Sequence, residues 1–270
     1  MKTSLIILTY NQPEFLNIVL QSVIEQTRLP EEIIIADDGS DETTAEVVRS
    51  FMTKTSVPIL HTYHPHNGFR VMLARNNAAA VSSGDYLIFI DGDCFLHPCF
   101  IADHQSFAET NHYAAGRRVN IRQKRREYIL RTGNRSISLF SWGTGKKLHS
   151  IRSRFLSYLR QKSQSGGMAS ANFGVWKSDF EKVNGFNERL AGYSGCDYEI
   201  AQRLENSGVK RKLLVHWGIA YHFDHPLTKR VRWSENAQHN LIRQVLSEEK
   251  ERCCTGLNRA AAEGVQIINR

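Results

Sequence analysis

Long apolar runs are missing from this 270-residue chain, and so are the short glycine motifs that announce the commonest nucleotide sites. No stretch approaches the ~18 consecutive apolar residues of a membrane-spanning helix. No G-x-G-x-x-G follows the first apolar segment and no G-x-x-x-x-G-K occurs, which excludes a classical dinucleotide fold and a P-loop. The five cysteines (94, 99, 196, 253 and 254) lack C-x-x-C spacing, so neither a zinc site nor a disulfide framework is expected. They read as thiols of a reducing compartment. Internal repeats are absent too. Met1-Lys2-Thr3 and the apolar Ser4–Leu8 begin like a signal peptide, but the run is too short and Thr9-Tyr10-Asn11 stands where small cleavage residues should. The segment reads as a first strand, and the protein as cytoplasmic.

What is present is an ordinary globular composition, 41% hydrophobic and 23% charged, enough for one large α/β domain or two small ones. Residues 4–9 form the first strand. Pro13 and the spacing of Phe15, Leu16, Val19, Leu20, Val23 and Ile24 predict a helix. Glu32–Ala36 is a second strand ending in Asp37-Asp38-Gly39-Ser40, with Asp41 as N-cap of the next helix. Val57–His61 is a short third strand, and a helix through Leu73 to Val81 leads into the apolar run Tyr86–Ile90. Strand and helix alternate four times in about ninety residues, which predicts a right-handed, mostly parallel twisted sheet flanked by helices. Further on, a helix from Tyr198 to Asn206 and a final strand from about Lys212 to Tyr221 are expected. Residues 231–252 read as a packing or surface helix.

The fourth strand ends in Asp91-Gly92-Asp93, the most informative feature of the chain. Open α/β sheets bind ligands at the carboxyl ends of their strands. Alternation along an extended backbone points Asp91 and Asp93 the same way, and Gly92 lets a ligand approach. Two like-directed carboxylates repel unless a cation lies between them or one is protonated. Mg²⁺ or Mn²⁺ would satisfy them and also bind a diphosphate.

Thr9-Tyr10-Asn11, Ala36–Ser40, Asn67-Gly68-Phe69-Arg70, Ala74-Arg75-Asn76 and Asp91-Gly92-Asp93 occur in an order that resembles family 2 inverting glycosyltransferases of the GT-A fold. Val183–Phe186 and Gly192–Asp197 are similar to the galactosyltransferase-like branch of that family. The likeness covers roughly residues 3–110 and 166–226. It implies a nucleotide-sugar-binding half at 1–110, a basic insertion at 111–165, an acceptor and catalytic half at 166–230, and a helical tail at 231–270. Carried over residue by residue, it implies that Thr9, Tyr10, Asn11, Asp38, Arg70, Arg75, Asp91, Gly92 and Asp93 bind the donor. Asp38 would accept from the base, Asp91 face the ribose and Asp93 hold the metal. His222 would complete the metal shell, with His225 as the fallback. Asp197 matches the general base and opens a helix whose dipole favours a carboxylate; Glu199 is the next candidate. Tyr193 and Cys196 stand where Trp and Glu are usual and mark the acceptor site. His61, His64 and His66 read as loop residues.

The net charge of +8 is concentrated: between Arg117 and Lys162 stand fourteen Lys or Arg and one acid, Glu127. Among these cations lie Phe140, Trp142, Phe155 and several leucines and isoleucines. The mixture suits an anionic membrane surface, or alternatively a loop over the acceptor site. Nucleic acid is not an expected partner, since no RNA- or DNA-binding motif accompanies the charge. The expected activity is metal-dependent, inverting transfer from a nucleotide diphosphate donor, a UDP-sugar, to a glycan or lipid-linked acceptor. Bacterial surface polysaccharide or lipopolysaccharide synthesis is the expected setting, with the enzyme cytoplasmic or peripheral on the inner face of the membrane. A nucleotidyltransferase, or a silent nucleotide-sugar-binding protein, are the competing readings.

Overall fold

The computed structural model of the chain describes residues 1–162, 168–190, 195–224, 237–263 and 265–268. In chain order the elements are β1 (Thr3–Thr9), α1 (Pro13–Ile24), β2 (Glu32–Asp37), α2 (Glu42–Met52), β3 (Ile59–Tyr63), α3 (Val71–Val81) and β4 (Tyr86–Asp91). Then follow β5 (Cys94–Leu96), α4 (Phe100–Phe107), β6 (His112–Gly116), β7 (Arg118–Ile121), α5 (Gln123–Thr132), β8 (Thr144–Gly145), a 3₁₀ turn (Lys147–Ser150) and α6 (Arg154–Lys162). The remainder is β9 (Asn172–Trp176), α7 (Lys177–Lys182), α8 (Cys196–Asn206), β10 (Lys210–Leu214), β11 (Ala220–Phe223), α9 (Ala237–Glu248), α10 (Leu257–Glu263) and β12 (Gln266–Ile267).

Among the described residues, eight strands form the main sheet in the order β10-β6-β9-β4-β1-β2-β3-β12. β1, β2, β3 and β4 are mutually parallel, and β9 runs antiparallel between β4 and β6. Alternation sorts the central side chains into two cores. Leu5, Ile7, Ile33, Ile35, Ile88 and Ile90 join α1 and α2 on one face. Ile6, Ile34, Leu87 and Phe89 meet α3, α7, α8 and α9 on the other. Burial on both faces explains why these strands read as continuous apolar runs. The edges are managed differently: β12 covers β3, while β10 exposes Lys210 and half-exposes Arg211 and Lys212.

The chain runs from β1 to β2 to β3 in one direction and then returns to place β4 on the other side of β1. This reversal is a topological switch point, where open sheets of this kind bind ligands. Beyond it a second sheet, β5-β11-β7-β8, stands on the carboxyl side, and Asp91-Gly92-Asp93 is the hinge from β4 into it.

Three expectations are corrected. The third strand lies two residues later than expected, at Ile59–Tyr63, which puts His61 in its middle rather than at its end. The single late strand is two: β10 pairs with β6 in the main sheet and β11 with β5 and β7 in the second. The break comes at His216 and Gly218, which take φ of 63° and 59° and turn the chain where an extended strand could not. Asp41 does precede α2, but its carboxylate accepts from the Thr43 hydroxyl at 2.6 Å and from no backbone N–H of the helix.

Candidate active site

The strand ends place the first group of candidate residues. Thr9 and Asp37 are register partners, as are Leu8 and Asp91, so the tips of β1, β2 and β4 lie at one level. Asn11 has φ 47°, a left-handed turn that Asn tolerates, and ties two tips together. Its N–H donates to Ser40 Oγ at 3.0 Å and its Oδ1 accepts from Asp41 N–H at 2.8 Å. Tyr10 is thereby held outward, stacked on His66 with ring centroids 4.6 Å apart.

Asp38 is buried and accepts from the Arg70 N–H at 3.0 Å, while His64 Nε2 lies 3.0 Å from its other oxygen. Asp37 is buried alongside, 2.8 Å from His61 Nε2 and accepting from Ser40 N–H. The three histidines are thus not idle loop residues: two support a carboxylate each and the third stacks on Tyr10. Their signal in the sequence was the i, i+3, i+5 recurrence beside two aspartates, legible only with the pairing of β2 and β3. The Arg70 guanidinium turns away to the Pro65 carbonyl at 2.5 Å, so it does not join the aspartates.

The second sheet builds the other end. Arg75, from α3, donates to Asp91 Oδ1 at 2.9 Å, and Arg118, opening β7, lies 3.4 Å from Asp91 Oδ2. Burial and the neighbouring Asp93 and Asp197 raise the Asp91 carboxyl above its ordinary value, against the pull of Arg75 and Arg118. Burial works against the charge on Arg118, but Cys94, Asp91 and Asp93 outweigh it and hold the guanidinium firmly charged. β11 pairs antiparallel with β5, setting His222 opposite Cys94 and its Nε2 3.2 Å from Asp93 Oδ2. Ligating atoms of Asp91, Asp93 and Cys94 lie within 4.8 Å of one another. Arg118 was missed from the sequence, where it was one of fourteen cations in a basic stretch.

Gly92 also has a close protein neighbour that the sequence did not announce. A Cβ there would meet the Leu8 carbonyl oxygen at 2.7 Å, so the close approach that requires glycine is to β1. Gly92 N–H also donates to that oxygen at 2.6 Å. Beside it Thr9 Oγ1 is buried with no hydrogen-bond partner among the described residues, as is Arg75 Nε. Both are polar atoms left for something to satisfy.

Asp197 is the second residue of α8, half-buried, and it bears electrostatically on Asp91. It also borders a cleft of about 700 Å³ lined by Met168, Tyr198, Ile242, Arg243 and Leu246. Cys196 instead packs into the core under α8, where burial pushes its thiol well up, so it does not line that cleft. Glu199 is excluded as an alternative base. It is fully buried, with Arg203 Nη2 at 2.7 Å and Nε at 2.8 Å. Asn76 is a clamp: it binds the Phe186 backbone through both its N–H₂ and its carbonyl, joining α3 to the turn before α8. Tyr193 and His225 lie outside the described residues.

The pattern defining "Glycosyl transferase family 2" matches residues 4–183, and that of "N-terminal domain of galactosyltransferase" matches residues 150–226. The chain is 26% identical over 234 residues to validoxylamine A glucosyltransferase of Streptomyces hygroscopicus subsp. limoneus, covering 80% of this chain and 51% of that protein. It therefore spans about half the length of the curated relatives it matches first. Among solved structures, S. aureus TarS 1–349 in complex with UDP superimposes with a TM-score of 0.60 at 14% identity, covering 97% of this chain and 70% of that one. GalNAc-T7 with UDP, GalNAc and Mn²⁺ gives 0.62 at 15% identity, covering 83% and 44%. These likenesses show the GT-A fold.

Proposed function

The chain belongs to glycosyl transferase family 2, and from that premise we propose that it moves a sugar from a UDP-sugar to a glycan or lipid-linked acceptor, with inversion at the anomeric carbon. The observation that carries this reading is the meeting of Asp91, Asp93 and His222 at the switch point, with Asp197 in electrostatic reach. Tyr10 offers its ring to the base and Asp38 a carboxylate to the base N–H. UDP in the TarS and GalNAc-T7 structures supports a uridine donor.

Asp93 and His222 together fit a divalent metal: a carboxylate and an imidazole 3.2 Å apart, suited to Mn²⁺ or Mg²⁺, with Asp91 beside them. When bound, the ion offsets the charge of the diphosphate leaving group. Arg75 and Arg118 add guanidinium charge on the same side, and guanidinium forks suit phosphate oxygens. Asp197 takes the proton of the acceptor hydroxyl as it attacks from the face opposite the diphosphate. It stands in the first turn of α8, the end of the helix dipole that favours negative charge. The cleft beside it receives the acceptor. The setting we propose is bacterial surface polysaccharide or lipopolysaccharide synthesis, with the enzyme peripheral on the inner face of the cytoplasmic membrane.

The test is release of nucleotide diphosphate from a panel of nucleotide sugars, with and without Mn²⁺. Metal-stimulated release from a UDP-sugar is the expected result. Tight UDP binding with no release from any donor would instead leave a silent binding protein. Burial of Cys196 weakens that alternative, because the departure from Glu then falls in the core rather than in the cleft.

A further inference from the structure

Seven of the twelve large apolar side chains exposed among the described residues lie between Leu139 and Leu159. Within that stretch α6 is turned inside out. Phe155, Tyr158 and Leu159, spaced i, i+3, i+4 on one helical face, are 69%, 57% and 46% exposed, while Ser157 is 3% exposed. Leu148, in the preceding 3₁₀ turn, is 67% exposed. Helices of soluble domains orient the other way, so this face has a partner.

The charge around it identifies the partner's chemistry. Lys146, Lys147, Arg152, Arg154 and Arg160 surround the apolar positions, and no acid occurs between residues 128 and 162. His216, Arg117 and Arg160 each bear electrostatically on His149, Arg160 bears on Arg117 as well, and the His149 and His216 rings are 6.0 Å apart. His149 Nδ1 is buried with no hydrogen-bond partner among the described residues. The nearby acids are already engaged: Asp103 by Arg152 at 2.6 Å, and Glu205 by Arg211 at 3.8 Å. Between α6, Phe107, Lys212 and Trp217 opens a cleft of about 470 Å³.

We propose that α6 and the 3₁₀ turn are a docking surface for anionic phospholipid headgroups. Phe155, Tyr158, Leu159 and Leu148 enter the boundary between headgroup and acyl chain, and the arginines and lysines meet the phosphates. An apolar stripe hemmed by cations, in a stretch of sequence that carries no acid, matches a bilayer, which is anionic at its surface and apolar just beneath. The proposal rests on the peripheral-membrane reading and gives it an address in the fold.

The experiment is cosedimentation of the whole chain with phosphatidylglycerol-containing vesicles and with pure phosphatidylcholine vesicles. Each cation near an anionic bilayer contributes roughly fivefold to partitioning. Lys147→Gln, Arg154→Gln and Arg160→Gln together are therefore expected to weaken binding to the anionic vesicles about a hundredfold. Phe155→Ser with Tyr158→Ser is expected to weaken it too, though every cation is kept. Both variants should release UDP from donor as the parent does, which also shows that they fold. If the parent binds anionic vesicles and both variants bind equally well, the membrane reading stands and α6 is not the surface. If the parent ignores the anionic vesicles, both ideas fail while the transferase reading is untouched. A dimer that Phe155→Ser, Tyr158→Ser dissociates would assign the face to a second copy and overturn the proposal.

Discussion

The two ends of the proposed donor site, the one we assign to the base and the one we assign to the diphosphate, are assembled in different ways. Tyr10, Asn11 and Asp38 are the immediate continuations of β1 and β2, neighbouring parallel strands in perfect register. Their partners His61, His64 and His66 come from the next strand and the loop after it. At the other end, Asp91 and Asp93 belong to β4 and the hinge beyond it. Arg118 and His222 arrive from β7 and β11, and Asp197 from α8. The base end is local and held by hydrogen bonds within the first seventy residues. The diphosphate end depends on the second sheet, and on opposing charges packed together. A site made this way should divide its labour: recognition at the first end, metal and chemistry at the second.

The sharpest way to break that division is at α8, where two acids sit two residues apart. Asp197→Asn is expected to leave donor affinity unchanged and lower turnover by ~10²–10⁴-fold; steady-state kinetics with a fixed acceptor read this directly. Glu199→Ala, by contrast, strands the buried Arg203 guanidinium and is expected to cost about 3–5 kcal/mol of stability in urea melts. If Asp197→Asn lost less than about tenfold, the base would lie elsewhere, since Glu199 is already sealed on Arg203. At the base end, Tyr10→Ala is expected to weaken uridine and UDP alike by roughly 1–3 kcal/mol, the worth of one stacked base. Weakening of UDP but not uridine in calorimetry would move Tyr10 to the diphosphate. The smallest effect is at His64. His64→Ala removes one buried hydrogen bond from Asp38, about 1 kcal/mol, and so raises donor KM about fivefold with kcat unchanged. An equal fall in kcat would tie the two ends together.

The same contrast explains what could be read from the residues alone. The central strands were visible as apolar runs because a parallel sheet buries both of their faces, and the acidic clusters marked their carboxyl ends. That Asp38 and Asp91 stand at the carboxyl ends of neighbouring strands needed nothing more. Arg118 could not be distinguished from thirteen other cations until β7 brought it to Asp91. His216 and Gly218 hide a chain reversal inside a pattern that looks like one strand. The surroundings of Gly92 and Cys196 were hidden for a common reason: each packs against protein that comes from a distant segment, which no local pattern encodes. Asn76 likewise stands in a motif near the donor residues but clamps the turn at Phe186.

Metal-dependent retention of the diphosphate is the claim on which the division of the cleft rests. It is tested by titrating UDP and uridine into the parent, Asp93→Ala and His222→Ala, with and without Mn²⁺. The account predicts that Mn²⁺ strengthens UDP binding in the parent, at least about tenfold less so in either variant, and that uridine binds all three alike. Equal strengthening of UDP by Mn²⁺ in the parent and in Asp93→Ala would contradict it.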